Sequence, residues 1–329
     1  MRKLLSFLFL GLLAAPTFAQ VFIQNTLYNH TRMLYNPANA GFSQASSING
    51  TNLTLLGRLQ WVGIEGAPQS SAVIVNASSE RLGGGIGGYV LADQLGPFSR
   101  IGANVAYAYH LSLGTEGQFG TLSIGASAGI LQQTINGEWQ YDPSNGPDPV
   151  VPVAPISGVV PSLAAGITYR GFNDRLFVGI SGQDLLEPSI EKLLISNADG
   201  IESRIPRSFY LNAGYRFALN EESNLTPTLF LRTDGLLPPQ LDLSLNWDYK
   251  SIVFGGSYRF FNDSFSALMG FNVNDRTFLA YAYDYTLNAL NATGDVGSHE
   301  IIISYTIPSK SGSPTKINRV LDDPTPGSF

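Results

Sequence analysis

Hydrophobic and polar side chains alternate along most of this chain with a period of two residues. The clearest run spans residues 241–248, where apolar Leu241, Leu243, Leu245 and Trp247 alternate with polar Asp242, Ser244, Asn246 and Asp248. Successive side chains of a β-strand point to opposite faces, so this run predicts a strand with one apolar and one polar face. The same alternation recurs at residues 52–61, 208–217, 279–285 and 300–305.

Two features of these strands favour a membrane barrel over a soluble β-sandwich. Their polar face is rich in small residues and carries isolated charges, and their apolar face often ends in Tyr, Trp or Phe. An outer-membrane strand has a lipid-facing apolar band, an aromatic girdle and a polar inner face. After the N-terminus, no stretch holds the roughly 18 consecutive apolar residues of a transmembrane helix. We therefore predict an all-β fold, a transmembrane antiparallel β-barrel, with a soluble exported β-protein as the alternative.

The pattern predicts about fourteen strands. They lie near residues 51–61, 69–77, 83–93, 98–111, 117–132, 160–170, 174–183, 206–218, 223–233, 239–249, 251–261, 264–273, 276–286 and 298–307. An even count returns the chain to the side on which it started, as bacterial barrels require. The barrel therefore occupies residues 51–307.

The lengths of the connections give an independent test of this prediction. The long connections, near residues 133–159, 184–205 and 287–297, all follow odd-numbered strands, whereas the connections after even-numbered strands are short. Barrels sort their connections in this way because periplasmic turns are short and surface loops are long. This sorting predicts that both chain termini lie in the periplasm.

Three segments lie outside the predicted barrel. Residues 1–19 read as a secretory signal peptide, with Arg2 and Lys3 before an apolar Leu4–Leu13 region and small residues at Thr17 and Ala19, which predicts cleavage before Gln20. Residues 20–50 form an N-terminal segment that we expect at the periplasmic mouth or in the lumen. Residues 308–329 form a polar periplasmic tail of open role.

Composition excludes several functional classes. The chain has no Cys, which rules out disulfides and Cys-ligated metals, and only three His, so we expect neither a metal nor a cofactor. A net charge of −6 argues against nucleic-acid binding, which needs a basic face. Whether Asp142 and Asp148 bind Ca²⁺ in a surface loop stays open.

Two glycine motifs match enzyme signatures in spacing alone. Residues 83–88 fit the spacing of a dinucleotide-binding loop, but a strand-like segment follows where a helix is required. Residues 125–129 fit a hydrolase nucleophile elbow, but Ser127 sits within an alternating strand, where it would point to the lumen as a small polar filler. We therefore interpret the glycines as positions of bending or close packing and expect no enzymatic activity.

Charged residues on the predicted polar faces point into the barrel, because a charge at the midplane of the lipid face would cost about 2–4 kcal/mol. They include Arg58, Arg216, Arg232, Asp242, Asp248, Arg259, Asp284 and Glu300. A structural network of ion pairs would satisfy them without any ligand. The functional alternative is a lined pore or a surface that binds a plug.

Several motifs give the chain a family likeness. The segment Tyr35–Gly41, with Asn36, Pro37 and Gly41, resembles the Asn-Pro-Ala-x-Ala-Gly element of the PorP/SprF family of type IX secretion system membrane proteins. The first surface connection resembles that family's Arg-x-Gln-Trp-x-Gly-x-(Asp/Glu)-Gly-Ala-Pro run in Arg58, Gln60, Trp61, Gly63, Glu65, Gly66, Ala67 and Pro68. Shorter matches follow at residues 239–243, 256–259, 281–284 and 297–301. The tail from Pro308 departs from the family pattern.

The resemblance implies a non-enzymatic protein of the outer membrane. Such proteins support the secretion or surface attachment of clients with type IX C-terminal sorting domains, including adhesins of gliding bacteria. It also implies partners among the periplasmic ring and lipoprotein components of the secretion machine, besides outer-membrane lipid. We expect the Arg58–Pro68 run to form a surface recognition loop. The competing hypothesis is a general or solute-specific outer-membrane channel, which the polar lumen face fits equally well.

Overall fold

The computed structural model describes residues 24–42, 50–114, 118–136, 155–190, 203–235, 238–260, 264–287 and 294–309. Its strands are β1 (Gly50–Leu59), β2 (Gln69–Ser79), β3 (Gly84–Leu95), β4 (Phe98–Ser112), β5 (Thr121–Ile135), β6 (Ile156–Gly171), β7 (Leu176–Gln183), β8 (Ser189–Ile190), β9 (Ser203–Arg204), β10 (Ser208–Tyr215), β11 (Phe217–Asn220), β12 (Ser223–Thr233), β13 (Gln240–Tyr249), β14 (Ile252–Phe260), β15 (Ser264–Asn274), β16 (Thr277–Thr286) and β17 (Ser298–Pro308).

The strands form one closed antiparallel barrel. Each wall strand pairs with its neighbours along the chain, and β1 pairs with β17 from Gly50 opposite Pro308 to Leu59 opposite His299. β10 and β11 both pair with β12 and together occupy one position in the wall, whereas β8 and β9 form a separate ribbon. The wall therefore has 14 strands, which confirms the predicted fold class.

Side chains alternate between lipid and lumen along every wall strand. In β4, outward-facing Val105 is 67% exposed, whereas its inward-facing neighbour Ala106 is 2% exposed. Aromatic residues gather near the strand ends, as in the stacked pair Trp247 and Phe254, whose ring centroids are 6.2 Å apart. None of the helices in the described ranges has the length and apolar character needed to cross a membrane.

The two ends of the barrel differ in their connections. At the short-turn end, the β2–β3, β6–β7, β11–β12, β13–β14 and β15–β16 connections are tight, and β1 begins beside the end of β17. The β4–β5 connection, residues 113–120, lies at the same end. The long-loop end carries the remaining connections, although Gly96 and Pro97 alone join β3 to β4 there. By the usual rule for bacterial barrels, we expect the short-turn end to face the periplasm.

Three departures from the predicted strand bounds are accompanied by identifiable contacts or backbone angles. β5 continues to Ile135 and β6 starts at Ile156, because their polar ends pair through contacts such as Thr134 Oγ1 to Ser157 Oγ at 2.9 Å. β1 ends at Leu59 because Trp61 has a φ of +51°. The strand predicted over 206–218 is interrupted at Arg216, whose N–H donates to the carbonyl of Arg175, the residue before β7. The Asp142–Asp148 tract lies outside the described residues.

Candidate functional site: the filled lumen

Residues 24–42, here called the luminal segment, lie inside the barrel. The segment contains three short 3₁₀-helices, Tyr28–His30, Arg32–Leu34 and Pro37–Asn39. It starts near the long-loop end, where Gln60 Nε2 donates to Gln24 Oε1 at 3.1 Å. It ends near the short-turn end, where Asn76 Nδ2 donates to the Phe42 carbonyl. The segment thus traverses most of the lumen.

The Asn36-Pro37 pair of the family motif anchors the middle of the luminal segment. Asn36 Oδ1 accepts the Ala38 N–H at 2.9 Å and so caps the third 3₁₀-helix, in which Pro37 needs no hydrogen-bond acceptor. The Nδ2 of the same side chain donates to Thr168 Oγ1 at 3.1 Å on β6. One amide therefore shapes the segment and ties it to the wall, which accounts for an Asn at this position.

Gly41 closes the motif with a left-handed backbone, at a φ of +89°. Asn76 brackets this turn, because its Oδ1 accepts the Gly41 N–H at 2.6 Å and its Nδ2 donates to the next carbonyl. His110 Nε2 lies 2.9 Å from the Ala40 carbonyl. Since a carbonyl can only accept, Nε2 carries the proton and Nδ1 accepts from the Ser123 hydroxyl. The polar wall thus holds the end of the segment at three backbone groups.

Apolar packing fills the centre of the lumen, which differs from the polar interior that we expect from the alternation. Tyr28 stacks on Phe230 with ring centroids 4.6 Å apart, and Tyr35 meets the same ring edge-on at 5.0 Å. The inward-facing Leu56 and Ile302 belong to the same buried cluster. Inward positions carry large apolar side chains because their neighbour there is the luminal segment rather than water.

Glycines in the wall make room for the luminal segment. A Cβ added to Gly85 would collide with the backbone of Gly41 and Ala40, and one added to Gly125 would collide with the backbone of Ala38. Both glycines therefore allow the backbone of the luminal segment to approach the wall closely, as we predict for the two motifs that match enzyme signatures. Ser127 of the second motif is 4% exposed and faces the lumen.

Six buried charges form an alternating chain at the long-loop end of the lumen, here called the outer charge cluster. In spatial order they are Arg232, Asp242, Arg259, Asp284, Arg58 and Glu300. The shortest contacts join Arg58 Nη2 to Asp284 Oδ2 at 2.6 Å and Arg58 Nη1 to Glu300 Oε2 at 2.9 Å. Because three cations alternate with three anions, each buried charge has an opposite neighbour.

The luminal segment docks on the acidic end of the outer charge cluster. Glu300 accepts the backbone N–H of Thr26 at 2.7 Å and that of Leu27 at 3.0 Å. The Thr26 hydroxyl donates to Asp284 at 2.7 Å. Hydrogen bonds to ionised acceptors are about twice as strong as neutral ones, so this contact pins the start of the segment. The cluster is therefore both an ion-pair network in the wall and a surface that binds the luminal segment.

Two of the predicted inward charges do not belong to this cluster. Arg216 and Asp248 lie near the short-turn end and are half-buried. The Arg216 guanidinium is electrostatically coupled to Asp248 without a salt bridge between them. Alternation alone shows the face on which a charge lies but does not show its depth along the barrel. The difference in depth separates these two residues from the other six.

The Arg58–Pro68 motif is divided between the lumen and the surface. Arg58 and Gln60 are buried in the lumen, at 3% and 7% exposure, which corrects their placement in the predicted surface recognition loop. Residues 61–68 form the surface part, with Trp61 half-buried and Gly63, Glu65 and Gly66 exposed. Strand alternation continues to Gln60, so the motif turns outward only after it.

Neighbouring connections hold this surface part in place. The Val62 N–H donates to the Gly297 carbonyl at 2.9 Å, and the Val296 N–H donates back to Val62 at 2.8 Å. On the other side, the Gly96 N–H donates to the Gly66 carbonyl at 2.8 Å. The Gln60 N–H donates to the Pro68 carbonyl, which closes the base of the loop. Backbone bonds on both flanks therefore give residues 61–68 a defined shape.

Sequence reasoning missed the side chains of the luminal segment, which fill the lumen. Thr26, Tyr28, Arg32 and Tyr35 follow no period of two, and strand alternation cannot detect them. The available signals were indirect. They were the family motif at Asn36–Gly41 and wall glycines whose missing side chains require a close neighbour.

His30 gives the luminal segment a pH dependence. Its ring stacks on Phe278 at 4.6 Å, and burial, with Arg32 adding repulsion, lowers the pKa of His30 from 6.5 to about 4. The folded state therefore binds fewer protons than the unfolded state between these values, and stability falls as the pH falls from 6.5 towards 4. We expect His30→Gln to lose less stability over this interval in denaturant titrations of the vesicle-inserted barrel. Equal acid sensitivity of both proteins would contradict this assignment.

The closed wall and lipid-facing band define an outer-membrane β-barrel whose lumen is occupied by its own N-terminal region. The chain belongs to the family described as type IX secretion system membrane protein PorP/SprF, whose model matches residues 17–305. No curated protein sequence matches the chain.

Solved outer-membrane proteins share the barrel architecture. The Ralstonia pickettii toluene transporter TbuX is 10% identical, with a TM-score of 0.50 over 84% of this chain and 92% of that chain. The Acinetobacter baumannii outer membrane protein Omp33 is 7% identical, with a TM-score of 0.46 over 80% of this chain and 100% of that chain. At 10% identity, the likeness to TbuX concerns the fold alone.

Proposed function

We propose that this protein is a non-enzymatic component of type IX secretion that holds client proteins at the outer membrane and does not conduct solutes. The clients are secreted proteins with type IX C-terminal sorting domains, including adhesin-like proteins. The observation that carries this proposal is the filled lumen, in which residues 24–42 traverse the barrel and bind its wall through buried charges and apolar contacts. A filled barrel suits a docking role, because its loops and turns remain available on both sides of the membrane.

A solute channel is the second candidate. It is favoured by the solved neighbour that is a toluene transporter. For this chain, conduction would require the luminal segment to leave a network of buried hydrogen bonds. Low conductance of the intact protein in planar bilayers supports the docking role, and a steady open conductance would support the channel.

The client-binding surface in this proposal includes residues 61–68 at the long-loop end. Trp61, Glu65 and Pro68 give it an aromatic anchor, a charge and a rigid corner on a loop held by its neighbours. Buried aromatic anchors dominate many protein interfaces. The short-turn end would then face the periplasmic ring and lipoprotein components, after a signal peptide is cleaved near Ala19.

Site-specific photo-crosslinking in cells tests both faces of this proposal. We expect a crosslinker at exposed Glu65 to capture secreted clients, and one at exposed Glu222, in the β11–β12 turn, to capture periplasmic components of the machine. Each position serves as the control for the other. Identical partner sets at both positions, or no sorting-domain protein at Glu65, would contradict the proposal.

The loop itself can be tested by substitution. We expect Trp61→Ala with Glu65→Gln to lower client retention at the cell surface several-fold, because anchor residues contribute about 2 kcal/mol or more to an interface. The matched control is Phe172→Ala, which removes an exposed aromatic ring at the short-turn end. Client retention on whole cells is the measurement, and equal retention in both variants would remove the loop from the proposal.

A further inference from the structure

Three arginines converge at the short-turn end of the lumen. Arg32 comes from the luminal segment, Arg170 from β6, and Arg216 from the break between β10 and β11. The Arg32 guanidinium lies 3.6 Å from the centroid of the Phe177 ring, and that of Arg170 lies 3.9 Å from the centroid of the Phe42 ring. These stacking contacts fix the planes of two cations, and Arg32 Nη2 also donates to Asn29 Oδ1 at 3.1 Å.

The arginines are close enough to repel one another. Burial and the positive charges of Arg170 and Arg216 lower the pKa of Arg32 below its ordinary value. Asp174 and Asp248 are the nearby carboxylates, and neither forms an ion pair with Arg170 or Arg216 within 4.0 Å in the described part of the chain. The outer charge cluster has equal numbers of cations and anions. Here, among the described residues that interact in this group, three arginines face two carboxylates, and an anion would neutralise the remaining positive charge.

A small cavity of mixed lining lies between Arg32 and Arg170. Its volume is about 30 Å³. Half of its lining residues carry amide or hydroxyl groups, namely Asn29, Thr31, Asn39, Asn52, Thr54 and Asn76, and Met33, Phe42 and Ile74 form its apolar part. His30 also lines it, and its buried Nδ1 has no hydrogen-bond partner among the described residues. The space holds one or two waters or a group of similar size. The amides of Asn39, Asn52 and Asn76 already donate to groups of the chain, so the guanidinium groups of Arg32 and Arg170 are the charged donors that border it.

We propose that this cavity and the adjoining arginines bind an oxyanion, a carboxylate or a phosphate group, at the periplasmic mouth of the barrel. Arg32 and Arg170 would donate to its oxygens, and Arg216 would add to the attractive field. This site goes beyond the docking role proposed above. The anion could be free phosphate or a carboxylate of this chain, since Asp322 and Asp323 follow the last strand, which ends at the same mouth.

Calorimetric titration tests the site in the full-length protein in detergent. Inorganic phosphate is the probe, at constant ionic strength maintained with chloride. We expect saturable binding that Arg170→Gln weakens about tenfold or more and Arg170→Lys weakens less, because lysine keeps the charge but loses the planar fork. Arg100→Gln is the matched control, since Arg100 lies near the long-loop end beside Asp93 and Asp184.

The outcomes also separate the two sources of the anion. If Asp322→Asn with Asp323→Asn tightens phosphate binding, the chain's own carboxylates compete for the site. If phosphate binding is unchanged, the site takes an anion from outside the chain. Absence of saturable phosphate binding in both the wild type and the Asp322→Asn, Asp323→Asn variant would overturn the proposal. So would equal affinity in Arg170→Gln and Arg100→Gln when both migrate as folded barrels.

Discussion

Replacing Arg58 with Met is expected to lower the free energy of unfolding by about 3–5 kcal/mol, because it leaves two carboxylates buried without their shared partner. Arg58 contacts Asp284 and Glu300, whose side chains are 2% and 0% exposed. After the substitution, Asp284 keeps the longer contact to Arg259 at 3.6 Å and the hydrogen bond from the Thr26 hydroxyl, and Glu300 keeps its hydrogen bonds from the luminal segment. Reversible denaturant unfolding of the barrel in lipid vesicles measures the loss.

The matched control is Arg207→Met. Arg207 pairs with Glu187 at 3.3 Å, but the two side chains are 47% and 30% exposed. Surface pairs of this kind contribute below about 1 kcal/mol, so the control should stay close to the wild type. Adding Glu300→Gln to Arg58→Met should recover part of the loss, because the uncompensated carboxylate is removed. Equal losses in Arg58→Met and Arg207→Met would show that the cluster adds little to stability.

The sequence predicted the barrel well because the membrane imposes a strict pattern. Lipid on one side forces an apolar side chain at every second position, and Val105 beside Ala106 shows the result in β4. The lengths of the connections then distinguished the short-turn end of the barrel from the long-loop end. The even number of strands followed from counting the alternating segments, without any further information.

The contents of the lumen could not be predicted in the same way. The luminal segment has no period, and its 3₁₀-helices are too short to leave a pattern in the sequence. Alternation placed Arg58, Asp284 and Glu300 on the inner face but could not show that they meet, because strand register and depth decide which charges become neighbours. The arginines at the other end come from three elements far apart in the chain, so only the folded barrel brings them together.

Replacing Gly125 or Gly85 with Val is expected to displace the luminal segment and open the barrel. The new side chain would occupy space now filled by the backbone of Ala38 or of Gly41, while the strand hydrogen bonds of β5 and β3 remain available. The added volume cannot be absorbed, because the obstacle is backbone on both sides rather than a flexible side chain. We expect conductance in planar bilayers to rise roughly tenfold or more towards that of an unobstructed barrel of this strand number.

Gly57→Val provides the matched control in the same type of strand. Gly57 lies on the outer face of β1, and a Cβ there would sit 3.6 Å from Ile301 Cγ2, an ordinary van der Waals contact. It should leave conductance at the level of the wild type, and heat-modifiable migration on gels would verify that all three variants fold. Deletion of residues 24–42 sets the upper limit of conductance. If Gly125→Val folds and conducts no more than Gly57→Val, the luminal segment does not close the barrel and the docking role loses its main support.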